Sequence, residues 1–302
     1  MQLNWPNIPS VLLLMLALSG LVLIGCAGPQ RADDPYMPER VDARDAVPDY
    51  DELVQRYNAN LEHLDRLWSR SVAAMRWTDE NDRRRYEQGE GHFIFMAPAR
   101  IALTLGKHRT LLWAGADDER YWMFDLRDQG VVNHGLHANL GRPCSRELPL
   151  PLQPRAVPHL LGLLPLADSS EEPNGEAPTV ERVRGYDVIE PPGTALRLML
   201  HPDTALPARV DMLDRAGEPA VIALLEQHEH MEVEGVARMA SPRIATRATV
   251  YAVGEDAELS LTLSGLTDGR RFDRIDDRVF DFEFLQQRHT PREIVDLDAA
   301  CP

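Results

Sequence analysis

Two periodicities divide the chain. Leu53, Tyr57, Leu61, Leu64, Trp68, Val72 and Met75 recur at steps of three and four, the spacing that lines up one stripe of an α-helix. Asp49, three residues ahead of Glu52, supplies the start signal of a capping-box variant. Charged residues between 55 and 70 fall mostly off the stripe. The pattern predicts an amphipathic helix packed on a core, which accounts for Tyr57 and Trp68 without any cofactor.

From Gly91 the period shortens to two. Phe93 and Phe95 share one side of a run, and Ile101, Leu103 and Leu105 share one side of the next. RTLLWAG and RYWMFDL flank an ADDER turn. Leu196, Leu198 and Leu200 alternate; PARVDML and PAVIALLEQHEH flank the turn Asp214-Arg215-Ala216-Gly217; Leu259, Leu261 and Leu263 alternate with Ser260, Thr262 and Ser264. These runs predict a large meandering antiparallel sheet with one apolar face, in an α+β chain. Alternation separates Trp122 and Phe124 from Tyr121, and together with Trp113 this group either lines a hollow or fills the core. Residues 154–166, PRAVPHLLGLLPL, form a short apolar helix or loop able to lie across the sheet. The acidic ADSSEEPNGEAP after it is a surface excursion.

The N-terminus belongs to neither pattern. Val11–Ile24 is apolar but about fourteen residues long, short of the roughly twenty that span a bilayer as a helix, so it suggests the core of a secretory signal. The leader MQLNWPNIPS has no Lys or Arg. Leu23-Ile24-Gly25-Cys26 resembles the lipobox of bacterial lipoproteins, which implies cleavage after Gly25 and acylation of Cys26. The alternative is a stray cysteine closing an uncleaved anchor. Ala27, in place of Asp, implies by the same analogy the inner face of the outer membrane. Residues 26–48 hold prolines, charges and little that is apolar, and suggest a disordered tether with a coil reach of roughly 25 Å.

Charge removes whole function classes. The formal net charge of -16 repels phosphate backbones and anionic headgroups, which argues against nucleic acid and against electrostatic membrane docking. The membrane partner is reached through the lipid. Of three cysteines, Cys144 and Cys301 remain in a disulfide-permissive compartment, either paired or as free thiols.

Three local patterns carry a wider resemblance. They are Gly91-x-Phe93-x-Phe95 leading through Pro98-x-Arg100-Ile101 to Trp113-Ala114-Gly115 and Tyr121-Trp122-x-Phe124-Asp125; Asp203-Thr204-Ala205-Leu206-Pro207-Ala208-Arg209; and Asp276-Asp277-x-Val279-Phe280-x-Phe282. With the order of elements, residues 49–302 resemble the lipoprotein-sorting fold of the periplasmic carrier LolA and its anchored acceptor LolB. The resemblance implies a curved, incomplete antiparallel barrel whose concave apolar face is covered by the N-terminal amphipathic helix and a short apolar helix. It implies lipid or lipoprotein acyl chains as ligand, with Phe93, Phe95, Ile101, Leu103, Leu105, Trp122, Phe124, Leu196, Leu198, Leu200, Leu259, Leu261 and Leu263 as cavity candidates. Ala97 stands where the carrier has a basic residue, so the sorting role itself is not carried over. A docking lipoprotein that holds an envelope protein partner is the alternative.

Catalytic chemistry is thin. His228-Glu229-His230 puts two imidazoles on one side of a strand, and His134-x-x-His137 offers two more, but no third ligand of a metal site is identified. Asp117-Asp118-Glu119 and Asp276-Asp277 pair carboxylates, yet they fall in turns, where Asp is favoured for backbone reasons. No nucleophile elbow, P-loop or zincin helix is present. The sequence therefore predicts no enzyme, no cofactor and no metal.

Overall fold

The computed structural model describes residues 34–42, 46–78, 83–127, 130–140, 142–145, 153–171, 178, 180–254, 257–270 and 275–301. The proposed signal, Cys26 and the start of the tether lie outside them. Among the described residues no helix is long and apolar enough to cross a membrane.

Helix α1, Tyr50–Leu61, begins where Asp49 accepts a hydrogen bond from the Glu52 N–H at 2.7 Å. It ends far short of the predicted stripe. Trp68, Val72 and Met75 instead belong to strand β1, Arg66–Thr78. Three- and four-residue spacing fits a strand as well once small residues intervene: Leu67, Ser69, Ser71, Ala73 and Met75 alternate against Trp68, Val72 and Ala74. Pairing of β1 on both sides, along nearly its whole length, outweighs the local helical pattern.

The strands continue as β2 (Arg84–Met96), β3 (Arg100–Gly106), β4 (Thr110–Ala116), β5 (Arg120–Asp125) and β6 (Val131–Leu136). After α2 (Ala156–Leu160) come β7 (Val180–Val183), β8 (Tyr186–Ile189), β9 (Leu196–Leu200), β10 (Pro207–Leu213), β11 (Pro219–His230), β12 (Arg243–Ala252) and β13 (Ala257–Thr267). Helix α3, Phe282–His289, and β14, Glu293–Asp296, close the chain. All belong to one curved, unclosed sheet of 14 strands in the order β14-β6-β5-β4-β3-β2-β1-β13-β12-β11-β10-β9-β8-β7. Two meanders meet where β1 pairs antiparallel with β13, and β14 alone runs parallel to its neighbour, β6.

The turns follow from side-chain chemistry. Asp214 accepts from the N–H groups of Ala216 and Glu218 at 2.8 and 3.0 Å, with Gly217 at φ +80°. Asp117 likewise accepts from Glu119 and Arg120, both at 2.8 Å, and Asp276 from Arg278 at 3.0 Å. These carboxylates hold turns, as backbone preference predicts.

Alternation sorts the sheet's side chains onto two faces. One face, with Leu67, Phe93, Phe95, Ile101, Leu198, Leu261 and their neighbours, forms a single buried cluster with Leu53, Val54 and Tyr57 of α1 and with Ala156, Leu160, Leu161 and Leu163 around α2. The opposite face is covered in pieces. Phe282 and Leu285 of α3 pack on Trp113, Trp122 and Phe124, while Ile275 and Phe280 pack on Trp68 and Ile94.

A third piece is the lead-in to α1. Within the unit Tyr36–Pro302, Met37 and Val41 pack on Tyr186, Val188 and Met199. Tyr36 packs on Tyr251 with ring centroids 4.6 Å apart and the rings tilted by 41°. Arg209, buried and paired with Asp211, donates to the Tyr36 carbonyl and the Met37 Sδ, both at 3.3 Å. Gly185, at φ +92°, admits the strap, because a Cβ there would lie 2.0 Å from the Val41 carbonyl oxygen. Residues 36–42 of the expected disordered tether are therefore a strap across the sheet.

Cys144 and Cys301 form a disulfide, with Cα atoms 5.0 Å apart. It ties the C-terminus beyond β14 to the loop after β6, where Asp298 accepts from the Leu136 N–H at 2.6 Å and from the Ser145 hydroxyl at 2.7 Å.

Candidate ligand-binding hollow

On the α1 face, the apolar surface over β1–β4 is not completely filled. A hollow of about 60 Å³ lies there beneath Pro154 and Val157. Its cause is side-chain size. Ala73 is the register partner of Gly89, Ala114 is that of Leu103, and Gly106 closes the end of β3. Met75, Ile101, Leu103, Leu105 and Leu259 form apolar walls around these small residues. A single water needs about 10–15 Å³ and several polar partners; the space is larger than that and the walls are almost wholly apolar. Such a space suits hydrocarbon better than water. Among the described residues its polar boundary consists of Glu87, Gln88 and Arg127.

A second space of about 540 Å³ opens between the C-terminal half of α1, the Ala97-Pro98 turn and Leu163–Pro165. Phe95 lines this groove and Ile101 lines the hollow, and the two are cross-strand partners. One aromatic–aliphatic pair thus stands between the two spaces.

The cover is fastened mainly at one end. Tyr50 donates to the Ala167 carbonyl at 2.9 Å, Tyr57 to that of Leu164 at 3.1 Å, and Asn58 bonds Leu166 through both its amide nitrogen and its oxygen, at 2.8 and 2.9 Å. Burial raises the Tyr57 hydroxyl above its ordinary value, so it stays protonated and able to donate. Beside Pro154, Arg155 makes one bond among the described residues, of 3.5 Å, to the His137 carbonyl. Burial, with the Arg155 charge second, lowers His159, which keeps α2 free of an added charge beneath it.

Only part of the predicted cavity set surrounds the hollow. Ile101, Leu103, Leu105 and Leu259 do. Phe93, Leu196, Leu198, Leu200, Leu261 and Leu263 pack as core on the same face. Trp122 and Phe124 lie on the opposite face beneath α3 and cannot reach the hollow; the strand alternation separated them from Tyr121 correctly, but an aromatic run does not say which face is inward. The sequence reading missed Ala73, Gly89, Gly106 and Ala114. Their signal was present: small residues at apolar-facing positions on neighbouring strands.

The histidines are not gathered. His134 lies on β6 and His137 just after it, near one end of the sheet, while His228 and His230 sit on β11. His230 bonds the Ser241 carbonyl at 3.1 Å. Among the described residues no group of three His, Cys, Asp or Glu side chains is placed to hold a metal ion.

No family model matches the chain, and no curated protein matches it. Its structural neighbours include LolA superfamily and DUF1329 proteins. A LolA superfamily protein from Nitrosomonas europaea is 9% identical over 79% of this chain and 100% of its own, with a TM-score of 0.46. A DUF1329 family protein from Desulfovibrio piger is 14% identical over 78% and 100%, at 0.41. A putative outer membrane lipoprotein-sorting protein domain from Vibrio parahaemolyticus is 12% identical over 78% and 97%, also at 0.41.

Proposed function

We propose that this protein is a lipoprotein of the cell envelope, moored through acylated Cys26 at the periplasmic face of the outer membrane, that binds an apolar ligand such as a lipid or a lipoprotein acyl chain. The observation that carries the reading is the apolar hollow over β1–β4 on the face that α1 and α2 cover. The hollow holds only a few carbon atoms, so a full acyl chain enters as Pro154 and Val157 lift and extends past Phe95 into the groove beside Pro98. Side-chain hydrogen bonds fasten the cover at 164–169, whereas 153–157 is held by apolar packing of Ala156 and Val157, so in this reading the 153–157 end lifts. Each methylene transferred from water contributes about 0.8 kcal/mol, so binding needs no catalytic group. The expected role is carriage or reception of lipid or lipoprotein within the envelope.

Native mass spectrometry of the full chain isolated from its membranes tests this. The expected spectrum shows a mature chain starting at Cys26 with two or three acyl groups, and a noncovalent apolar ligand that leaves on collisional activation. A bare Cys26 overturns the mooring. A protein that arrives empty, and also fails to bind fluorescent single-chain probes with either an amine or a carboxylate head, overturns the ligand reading; one stoichiometric protein partner with an empty hollow would mark a docking lipoprotein instead.

A further inference from the structure

The walls of the hollow are apolar, and among the described residues its boundary holds one carboxylate, Glu87, with no ion-pair partner. Glu87 lies on β2 two residues before Gly89, on the same side as Gly89, Phe93 and Phe95, opposite Met75 on β1. Among the described residues Glu87 has no hydrogen-bond or ion-pair partner. The cations around it are occupied or outside. Arg127 is forked onto Asp125, Nε to Oδ1 at 2.8 Å and Nη2 to Oδ2 at 2.6 Å. Arg85, next along the same side of β2, has a partner of its own. Lys107 and Arg109, on the β3–β4 turn, are exposed and do not line the hollow.

We propose that the hollow selects single-chain amphiphiles whose headgroup is a protonated amine, with the tail between Ala73, Ile101 and Leu259 and the ammonium on the Glu87 carboxylate. The inference rests on the ligand-binding reading above and adds the headgroup to it. An amphiphile that buries its tail must leave its head at the boundary, where the polar groups are Glu87, Gln88 and the self-satisfied Arg127. An ammonium gains a charge-assisted hydrogen bond there. A carboxylate or phosphate meets a like charge.

The test uses the full mature chain and two fluorescent probes with the same tail, one ending in a primary amine and one in a carboxylate, at about 0.15 M salt, where the screening length is about 8 Å. The amine probe is expected to bind at least about tenfold tighter. Glu87→Gln brings the two probes to within about threefold of each other. Glu90→Gln makes the same change in net charge on the other side of β2 and leaves the preference in place. Equal binding of both probes to the unaltered protein, a preference that survives Glu87→Gln, or an equal loss with Glu90→Gln overturns the inference. Failure of both probes to bind instead overturns the ligand-binding reading beneath it.

Discussion

Ala73 and Gly89 face each other across β1 and β2 on the covered side of the sheet, and neither carries more than a methyl group. The hollow is the direct result. Ala73→Val adds two carbons at a position that is 2% exposed. It is expected to fill much of the space and lower the affinity for a fluorescent apolar probe at least about tenfold. Overpacking costs about 1–3 kcal/mol in a tight core, and here less because there is room. Probe titration beside urea denaturation separates the two effects, and unchanged affinity in a folded variant would show that the ligand sits elsewhere.

Arg209 and Asp211 are both nearly inaccessible, joined Nε to Oδ1 at 2.6 Å and Nη2 to Oδ2 at 3.0 Å. Removing one member leaves a buried charge without the fork that now holds it. Asp211→Ala is expected to cost about 3–5 kcal/mol, and the joint replacement Arg209→Met with Asp211→Leu to recover most of it, both read from urea unfolding. The same single variant should free the strap, so limited proteolysis would cut near Met37 before the body of the sheet. A joint variant no better than Asp211→Ala would mean that Arg209 matters for its bonds to the strap alone.

How much of this was legible in the sequence depends on how locally each feature is determined. The cap at Asp49, the turn at Asp214–Gly217 and the alternation of Leu259, Leu261 and Leu263 are set by neighbours within a few residues, and all could be read directly. Val72 and Met75 could not, because their strand exists through pairing with residues far along the chain, on β13, and the local spacing fits either structure. The strap was hidden for a similar reason. Met37 and Val41 are isolated apolar residues in a charged stretch, and they gain meaning only when Met199 and Tyr186 lie beneath them. The hollow is a lack of side chains on strands distant in sequence, so an inventory of large apolar residues pointed to the packed core instead.

The disulfide between Cys144 and Cys301 spans a sequence separation of 157. By the chain-entropy estimate, closing so long a loop disfavours the unfolded state by about 5 kcal/mol. Replacing both cysteines by serine is expected to lower stability by about 2–5 kcal/mol in denaturant unfolding under oxidising conditions. Strand β14 is short and mostly exposed, with Ile294 at 47%, so its amides should lose hydrogen-exchange protection before those of β6. If stability fell while Ile294–Asp296 stayed protected, the pairing with β6 would be holding the C-terminus without the cross-link.

His228 carries a pH dependence whose sign is fixed by its surroundings. Burial, then the charges of Arg243 and His201, lowers its pKa to about 4, against a weaker opposing hydrogen bond to Pro207. The unfolded chain takes up a proton near the ordinary histidine value of about 6.5, while the folded chain resists until about 4. The unfolded state therefore binds more protons between those values, and stability falls as the pH drops through them. The limiting slope is about 1.4 kcal/mol per pH unit, which caps the loss at about 3 kcal/mol. Urea unfolding from pH 7.5 to 4.5 should show the decline in the unaltered protein and a flatter curve for His228→Gln, since carboxylate titration is common to both. Parallel curves would mean that His228 is charged inside the folded protein, and its burial would then need a counter-ion.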